Sequence, residues 1–281
     1  MNKLIITADD YGMSKGVNEA IEEGINAGLI TSTNVMTNMP YFKDAKGLTK
    51  NPNISIGMHW NITCGRPVLP PEQIPSIVTN EGDFFDYPTF RSLYRKKKIV
   101  WGDIQKELIA QYKLYRNNIG KADYWNTHQN VHVDFDIYAR FVALACKLNI
   151  NRMRSHQRIY VNRERKQDPM PISWQIIEPV KSRMLDVWQS NAHKKGIKSP
   201  DGLILCLDKD DVYNLDYVFN HVQWKKNEIG EYVIHPATKN DSSFFGEIVE
   251  RRIWEYKSFS SKDTKKMIKD AGIELASYLD L

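Results

Sequence analysis

A chain of 281 residues, 42% hydrophobic and 26% charged with a formal net charge of +5, can bury one large core, so a single α/β barrel over residues 1–281 is an ordinary expectation. No apolar run is long enough to span a bilayer, and MNKLIITADD turns acidic too soon for a signal peptide, which predicts a soluble cytoplasmic protein with no membrane partner. The one basic run, Arg95-Lys96-Lys97-Lys98, reads as a solvated loop or helix face, and no nucleic-acid-binding signature accompanies it.

Strand-like and helix-like stretches alternate from the start. LIITADD is a short β-branched run of the kind that forms a buried strand. KGVNEAIEEGINAGL follows with Val17, Ile21 and Ile25 at helical spacing. TSTNVMTNMP and ISIGMHWNIT read as strands two and three. Residues 64–101 carry prolines, glycines and little periodicity, which predicts a long functional rim loop of lid type. GDIQKELIAQYKLYRNNIG is an amphipathic helix with Ile104, Leu108, Tyr112 and Tyr115 along one stripe. DYWNTHQNVHVD is a strand or strand end, IYARFVALACKLNI a helix and NRMRSH a strand. A second irregular stretch covers about 159–200, with Pro169, Pro171 and Pro179. GLILCL and GEYVIHPAT add two strands, and a helix with IELASYL closes the chain. Cys64, Cys146 and Cys206 are widely spaced without a CxxC pattern, as expected of reduced thiols.

Repeated β-α order implies a parallel sheet or barrel, whose chemistry gathers at the carboxyl ends of the strands. Asp9-Asp10, His59, His128 and His235 all stand at such ends. A lone histidine is usually structural, and His193 and His221 have no strand-end context. One aspartate with His59 and His128 would leave positions open on a divalent ion, as catalysis requires. Such an ion polarises an acyl oxygen and acidifies water. The remaining carboxylate and His235 could then act as base and acid. Neighbouring strand residues face opposite ways, so Asp9 and Asp10 need not share a duty. In an extended HQNVH, His128 and His132 stand roughly 13 Å apart, too far to share one ion without a bend. His128 is therefore the better ligand, and His132 orients it or lines the groove. No GxSxG elbow, GxxxxGK[ST] loop or GxGxxG fingerprint is present.

Taken in order, TADDYGMSKGVNEAI, TSTNVMTNMP, GMHWNIT, THQNVH and VIHP resemble the YdjC-like carbohydrate deacetylase family. RIWEYKSF and IKDAGIELASYLDL resemble its closing helix and strand, so the likeness runs nearly end to end. The resemblance implies an irregular (β/α) barrel related to the polysaccharide deacetylases. It implies a divalent ion, usually magnesium, on Asp10, His59 and His128, with Asp9 as base and His235 protonating the leaving amine. The implied reaction removes N-acetyl groups from amino-sugar oligosaccharides, and the implied assembly is a homodimer. Two imidazoles and a carboxylate suit zinc as well. Asn130 replaces a histidine common in the family, Ala237 follows His235-Pro236 in place of glycine, and Arg152-Met153-Arg154-Ser155 only partly echoes the family's Pro-Arg-Glu element. These departures bear on the sugar more than the chemistry. Tyr11, Trp60, His132 and Arg154 are the candidate substrate-binding residues, with the aromatic rings as pyranose platforms. Rival readings are a hydrolase of another acylated or phosphorylated molecule and a sugar-binding protein with a degenerate site.

Overall fold

The computed structural model describes residues 1–133, 137–162, 172–206 and 211–281, with the side chains of 172–178 excepted. Asp134, Pro169, Pro171 and Leu207 lie outside the described residues. The strands are β1 (Lys3–Tyr11), β2 (Ser32–Val35), β3 (Ser55–Trp60), β4 (Trp125–Thr127), β5 (Arg158–Val161), β6 (Gly202–Cys206), β7 (Ile229–Ile234) and β8 (Glu274–Ala276). They form one parallel sheet in the order β4-β3-β2-β1-β7-β6-β5. β8 pairs with Lys3–Ile5 of β1, whereas β2 pairs with its distal half from Thr7 onward. β1 is thus the spine of the sheet, and Leu4, Ile5 and Ile6 are fully buried there, as a run apolar on both faces requires.

The helices are α1 (Lys15–Asn26), α2 (Ala45–Leu48), α3 (Tyr87–Arg95), α4 (Trp101–Asn118), α5 (Tyr138–Lys147), α6 (Ile172–Lys194), α7 (Leu215–His221), α8 (Val249–Phe259) and α9 (Lys262–Asp270). Val17, Ile21 and Ile25 face the core from α1. Ser14, not the aspartates before it, caps that helix by accepting from Val17 N–H at 3.1 Å. In α4 the predicted Ile104, Leu108 and Tyr115 are buried, and so are Glu107 and Gln111.

Three segments differ from the sequence reading. Residues 64–101, expected as a rim loop, include α3 and pack against the core. Ile74, Ile77, Val78, Phe84, Phe90 and Ile99 enter the core. Glu107 accepts from Val68 and Leu69 N–H at 2.9 and 3.0 Å, and Asp103 Oδ2 accepts from Ser76 N–H at 3.1 Å. Their apolar residues follow no period because prolines begin two short 3₁₀ turns there, at Pro71–Gln73 and Pro75–Ile77. The stretch 159–200 contains β5 and α6, the latter running through the exposed Pro179. One proline removes a single helical hydrogen bond and need not end a helix. Finally, NRMRSH forms isolated bridges, not a strand. Met153 pairs with Trp125 and Arg152 with Lys198, so this segment closes the gap beside β4.

Candidate metal centre and active site

One groove at the carboxyl ends of the strands is lined by Asp9, Asp10, His59, His128, Arg154, His235 and Arg252, among others. Regular alternation would send only one of the two aspartates there. Asp10 instead has φ +72°, and the pairing of β1 with β2 shifts register between Ala8 and Tyr11. This bulge turns both carboxylates to one side. Aspartate is among the few residues that tolerate a left-handed backbone, and such strain clusters at functional sites.

Asp10 Oδ1 lies 3.3 Å from His59 Nε2 and 3.1 Å from His128 Nδ1. All three ligand atoms are within 4.8 Å of one another. Donors held at metal-bond length from one ion, at angles near 90–110°, sit roughly 3.0–3.4 Å apart. The donor set and the spacing of Asp10 from each imidazole therefore fit a divalent cation. Burial opposes ionisation of Asp10, but the Arg252 guanidinium and His128 hold the carboxyl well below the usual range. Arg252 Nη2 donates to Asp10 Oδ2 at 2.7 Å, leaving Oδ1 to the imidazoles. Burial also opposes protonation of His128, yet Asp10 raises it to about 9, so a cation must displace a proton there.

Asn126 stands 2.6 Å from His59 Nδ1. With its amide oxygen toward the ring, His59 donates from Nδ1 and presents a lone pair at Nε2, as a ligand must. Turned over, the amide donates to Nδ1 and its oxygen accepts from Arg154 and Asn34. The hydrogen then belongs on Nε2. Asn126 therefore couples the tautomer of His59 to the groups around Asp9.

Asp9 is held separately. Arg154 Nη1 donates to Oδ2 and Nη2 to Oδ1, both at 2.7 Å, and Asn34 Nδ2 donates to Oδ1 at 2.5 Å. Arg154 also donates to Glu231 Oε1 from Nε and Nη2, and Tyr278 OH donates to Glu231 Oε2 at 2.7 Å. Burial raises the Asp9 pKa, but Arg154 overcomes this and keeps the carboxyl ionised. His235 Nε2 approaches Asp9 Oδ2 at 3.8 Å from the groove side. Burial lowers the His235 pKa against the opposing pull of Asp10 and Asp9.

A family model for YdjC-like proteins matches residues 3–270. The chain belongs to the YdjC-like family. A carbohydrate deacetylase of Brevibacillus brevis is 27% identical over 281 residues, covering 99% of both chains. A chitooligosaccharide deacetylase of Proteus mirabilis is 24% identical over 282 residues, covering 99% of this chain and 98% of its own. A solved structure from Enterococcus faecalis V583, described as a candidate for cellobiose-phosphate cleavage, superposes with a TM-score of 0.73 at 25% identity. That match covers 100% of this chain and 99% of the other.

Within this YdjC-like groove the structure brings together Asp9, Asp10, His59, His128, His235 and Arg154. Three expected substrate contacts are elsewhere. Tyr11 is fully buried, and its hydroxyl donates to Glu22 at 2.6 Å. Trp60 is buried against Trp125 and Phe141, with its indole N–H donating to Leu108 O. Neither ring offers a face to a sugar, and Trp125 is buried too. The HQNVH segment does bend, through left-handed Gln129 and Asn130. The bend nevertheless carries His132 away from His128, to Thr127 at 2.6 Å and His156 at 2.7 Å. Arg154 reaches the groove as the partner of Asp9 and Glu231, not as a free substrate clamp. Arg252, Asn126, Asn34 and Glu231 were not expected. The only sequence signal among them is Glu231, a charge inside a strand-like run, where unpaired charges are seldom buried.

Proposed function

We propose that this YdjC-like protein is a divalent-metal-dependent carbohydrate deacetylase that hydrolyses N-acetyl groups of amino-sugar oligosaccharides. The observation that carries this reading is the pairing, in one groove, of a three-donor cation site with a second carboxylate that has no part in it. A sugar-binding protein has no use for Asp9 held ionised beside His235. Full-length relatives named as carbohydrate and chitooligosaccharide deacetylases support the substrate class.

Asp10, His59 and His128 would hold the cation, with zinc and magnesium both compatible with the donors. Bound there, it would supply Lewis-acid polarisation of the acetyl oxygen and acidify a water. Asp9 accepts the proton of the attacking water. Arg154 and Asn34 fix the orientation of this carboxylate, at some cost in basicity, since a guanidinium partner favours the unprotonated form. His235, 3.8 Å from Asp9 on its open side, passes the proton that Asp9 takes from the water on to the departing amine nitrogen as the C–N bond breaks, so that acetate and a free amine leave. Arg252 keeps Asp10 aligned and ionised through the cycle.

The test is acetate release from N-acetylglucosamine oligomers by the purified protein, with chelator and after return of zinc or magnesium. Release that chelator abolishes and a divalent ion restores is expected. No acetate under any metal would exclude this reaction for these sugars, and phosphate release from a phosphoester would favour the rival hydrolase.

A further inference from the structure

With Tyr11, Trp60 and Trp125 buried, the groove still presents one exposed Phe or Tyr ring among the described residues. Phe244 is 44% exposed and lines the groove together with Asp9, Asp10, His59, His128 and His235. The other two aromatic rings on that lining, Tyr232 and Phe245, are buried. We propose that Phe244 is the platform on which a pyranose ring of the substrate packs, a proposal that rests on the carbohydrate reading above.

Its segment is anchored on both sides of the ring. Asp241 Oδ2 accepts from Gly16 N–H at 2.9 Å, and Ser242 Oγ accepts from Phe244 N–H at 3.2 Å. Phe245, the next residue, is buried beneath Arg252, whose guanidinium lies 4.6 Å from the ring centre. The same Arg252 holds Asp10. The exposed ring is thereby positioned relative to the cation site through one neighbouring residue and one ion pair. Gly246 has φ +60°, which lets the chain turn directly after the two phenylalanines. On its far side Phe244 reaches the loop after β3, since a methyl added at Gly65 would stand 3.6 Å from Phe244 Cζ.

A fixed, exposed ring costs solvation free energy that a ligand can recover. The C–H face of a pyranose is apolar and flat enough to cover a phenyl ring, while its hydroxyls point outward to polar groups. Gln129 and Asn130, both exposed on the same groove, supply amides for those hydroxyls. A phenyl ring has no hydrogen-bonding atom, so its contribution is to binding and register, not to proton transfer.

Metal-loaded wild type, F244A, F244L and F244Y are compared for acetate release from the N-acetylglucosamine trimer. Trimer binding is measured separately by saturation-transfer NMR under chelator, where turnover stops. F244A is expected to raise KM and the trimer Kd about tenfold, equivalent to about 1.4 kcal/mol, with kcat little changed. F244Y should restore both, and F244L, which keeps bulk without a ring face, should not. A wild-type KM in F244A, or full rescue by leucine, overturns the platform while leaving the deacetylase reading intact. Trimer binding that F244A abolishes, in a protein releasing no acetate, supports the platform and overturns the deacetylase reading. A wild type that does not bind the trimer overturns the platform.

Discussion

Arg154→Met removes the guanidinium that stands between Asp9 and Glu231. Arg154 is 3% exposed, Asp9 4% and Glu231 0%, so water cannot replace it. Removing one partner of a buried ion pair costs about 3–5 kcal/mol. Two carboxylates are orphaned here, but each has an escape. Taking up a proton costs about 4 kcal/mol at pH 7 for a group that ordinarily ionises near pH 4. Asp9 also keeps Asn34, and Glu231 keeps Tyr278. A loss of about 3–5 kcal/mol leaves a domain of ordinary stability folded and lowers its Tm by roughly 10 °C. The pH dependence makes the test specific. In the wild type the Asp9 pKa is depressed, so its contribution is complete above about pH 4 and lost only as pH falls below that. In the variant an orphaned, desolvated carboxyl has a raised pKa, so folding is penalised as pH rises and relieved as it falls. Thermal melts of both proteins at pH 7 and pH 5 should show the gap narrowing by about half. Arg154→Lys, which keeps charge but not the two-pronged contact, should fall between them. A gap under 2 °C, or one equal at both pH values, would refute the assignment of Arg154 as the charge that holds Asp9 and Glu231 in the fold.

Asp10→Asn and His59→Ala should lose cation binding and turnover together, whereas Asp9→Asn should bind the cation in calorimetry and lose turnover; an empty site in Asp9→Asn would reverse the two aspartates. Asn126→Ala should weaken cation affinity about 10- to 100-fold if the amide oxygen faces His59 Nδ1 and holds its hydrogen there, whereas unchanged or tighter binding would show that the amide nitrogen faces the ring. Burial depresses both members of the His132–His156 pair, His156 to about 3. The unfolded chain therefore binds protons first as pH drops, and stability should fall below about pH 6.5 by up to about 1.4 kcal/mol per pH unit for each histidine. Urea unfolding of wild type and His156→Gln between pH 6.5 and 5 should show the shallower slope in the variant, and parallel slopes would exclude the pair as the cause.

The parallel architecture was legible because β-branched runs and helical periodicity alternate, and because the strand-end rule needs only the order of elements. That rule placed Asp9, Asp10, His59, His128 and His235 on one groove. It could not expose α6, since Pro179 has the same appearance in sequence whether it ends a helix or is carried on an open helical face. Nor could it expose the anchoring of residues 64–101, which depends on Glu107 and Asp103, polar residues that a search for apolar stripes assigns to solvent. The aromatic expectations failed for a reason present in the same principle that found the histidines. Trp60 adjoins His59 within a strand, so period-two alternation sends its ring to the opposite face. Phe244, 185 residues beyond His59, carries no local pattern linking it to the groove.

The two adjacent carboxylates persist side by side because each has its own cation from a distant part of the chain. Arg154, in the segment after α5 that bridges to β4, serves Asp9, and Arg252 on α8 serves Asp10. The arginines are not interchangeable in effect. Arg252 binds only the outer oxygen of Asp10 and leaves Oδ1 facing two imidazoles, whereas Arg154 occupies both oxygens of Asp9. The difference in ligation between Asp9 and Asp10 is thus built into hydrogen bonding, not into the identical residue type. Counting Glu231, three carboxylates face two guanidiniums and the protonated His128, a balance that a divalent cation displacing the His128 proton would convert to a surplus of one positive charge. A preorganised centre of that sign favours the oxyanion that forms when water adds to an acetyl carbonyl. Neutralising Glu231 alone would shift this balance without touching any donor to the cation. Glu231→Gln should therefore retain cation affinity in calorimetry and lower kcat, because Arg154, no longer shared with Glu231, makes Asp9 a weaker base, and an unchanged kcat would refute that coupling.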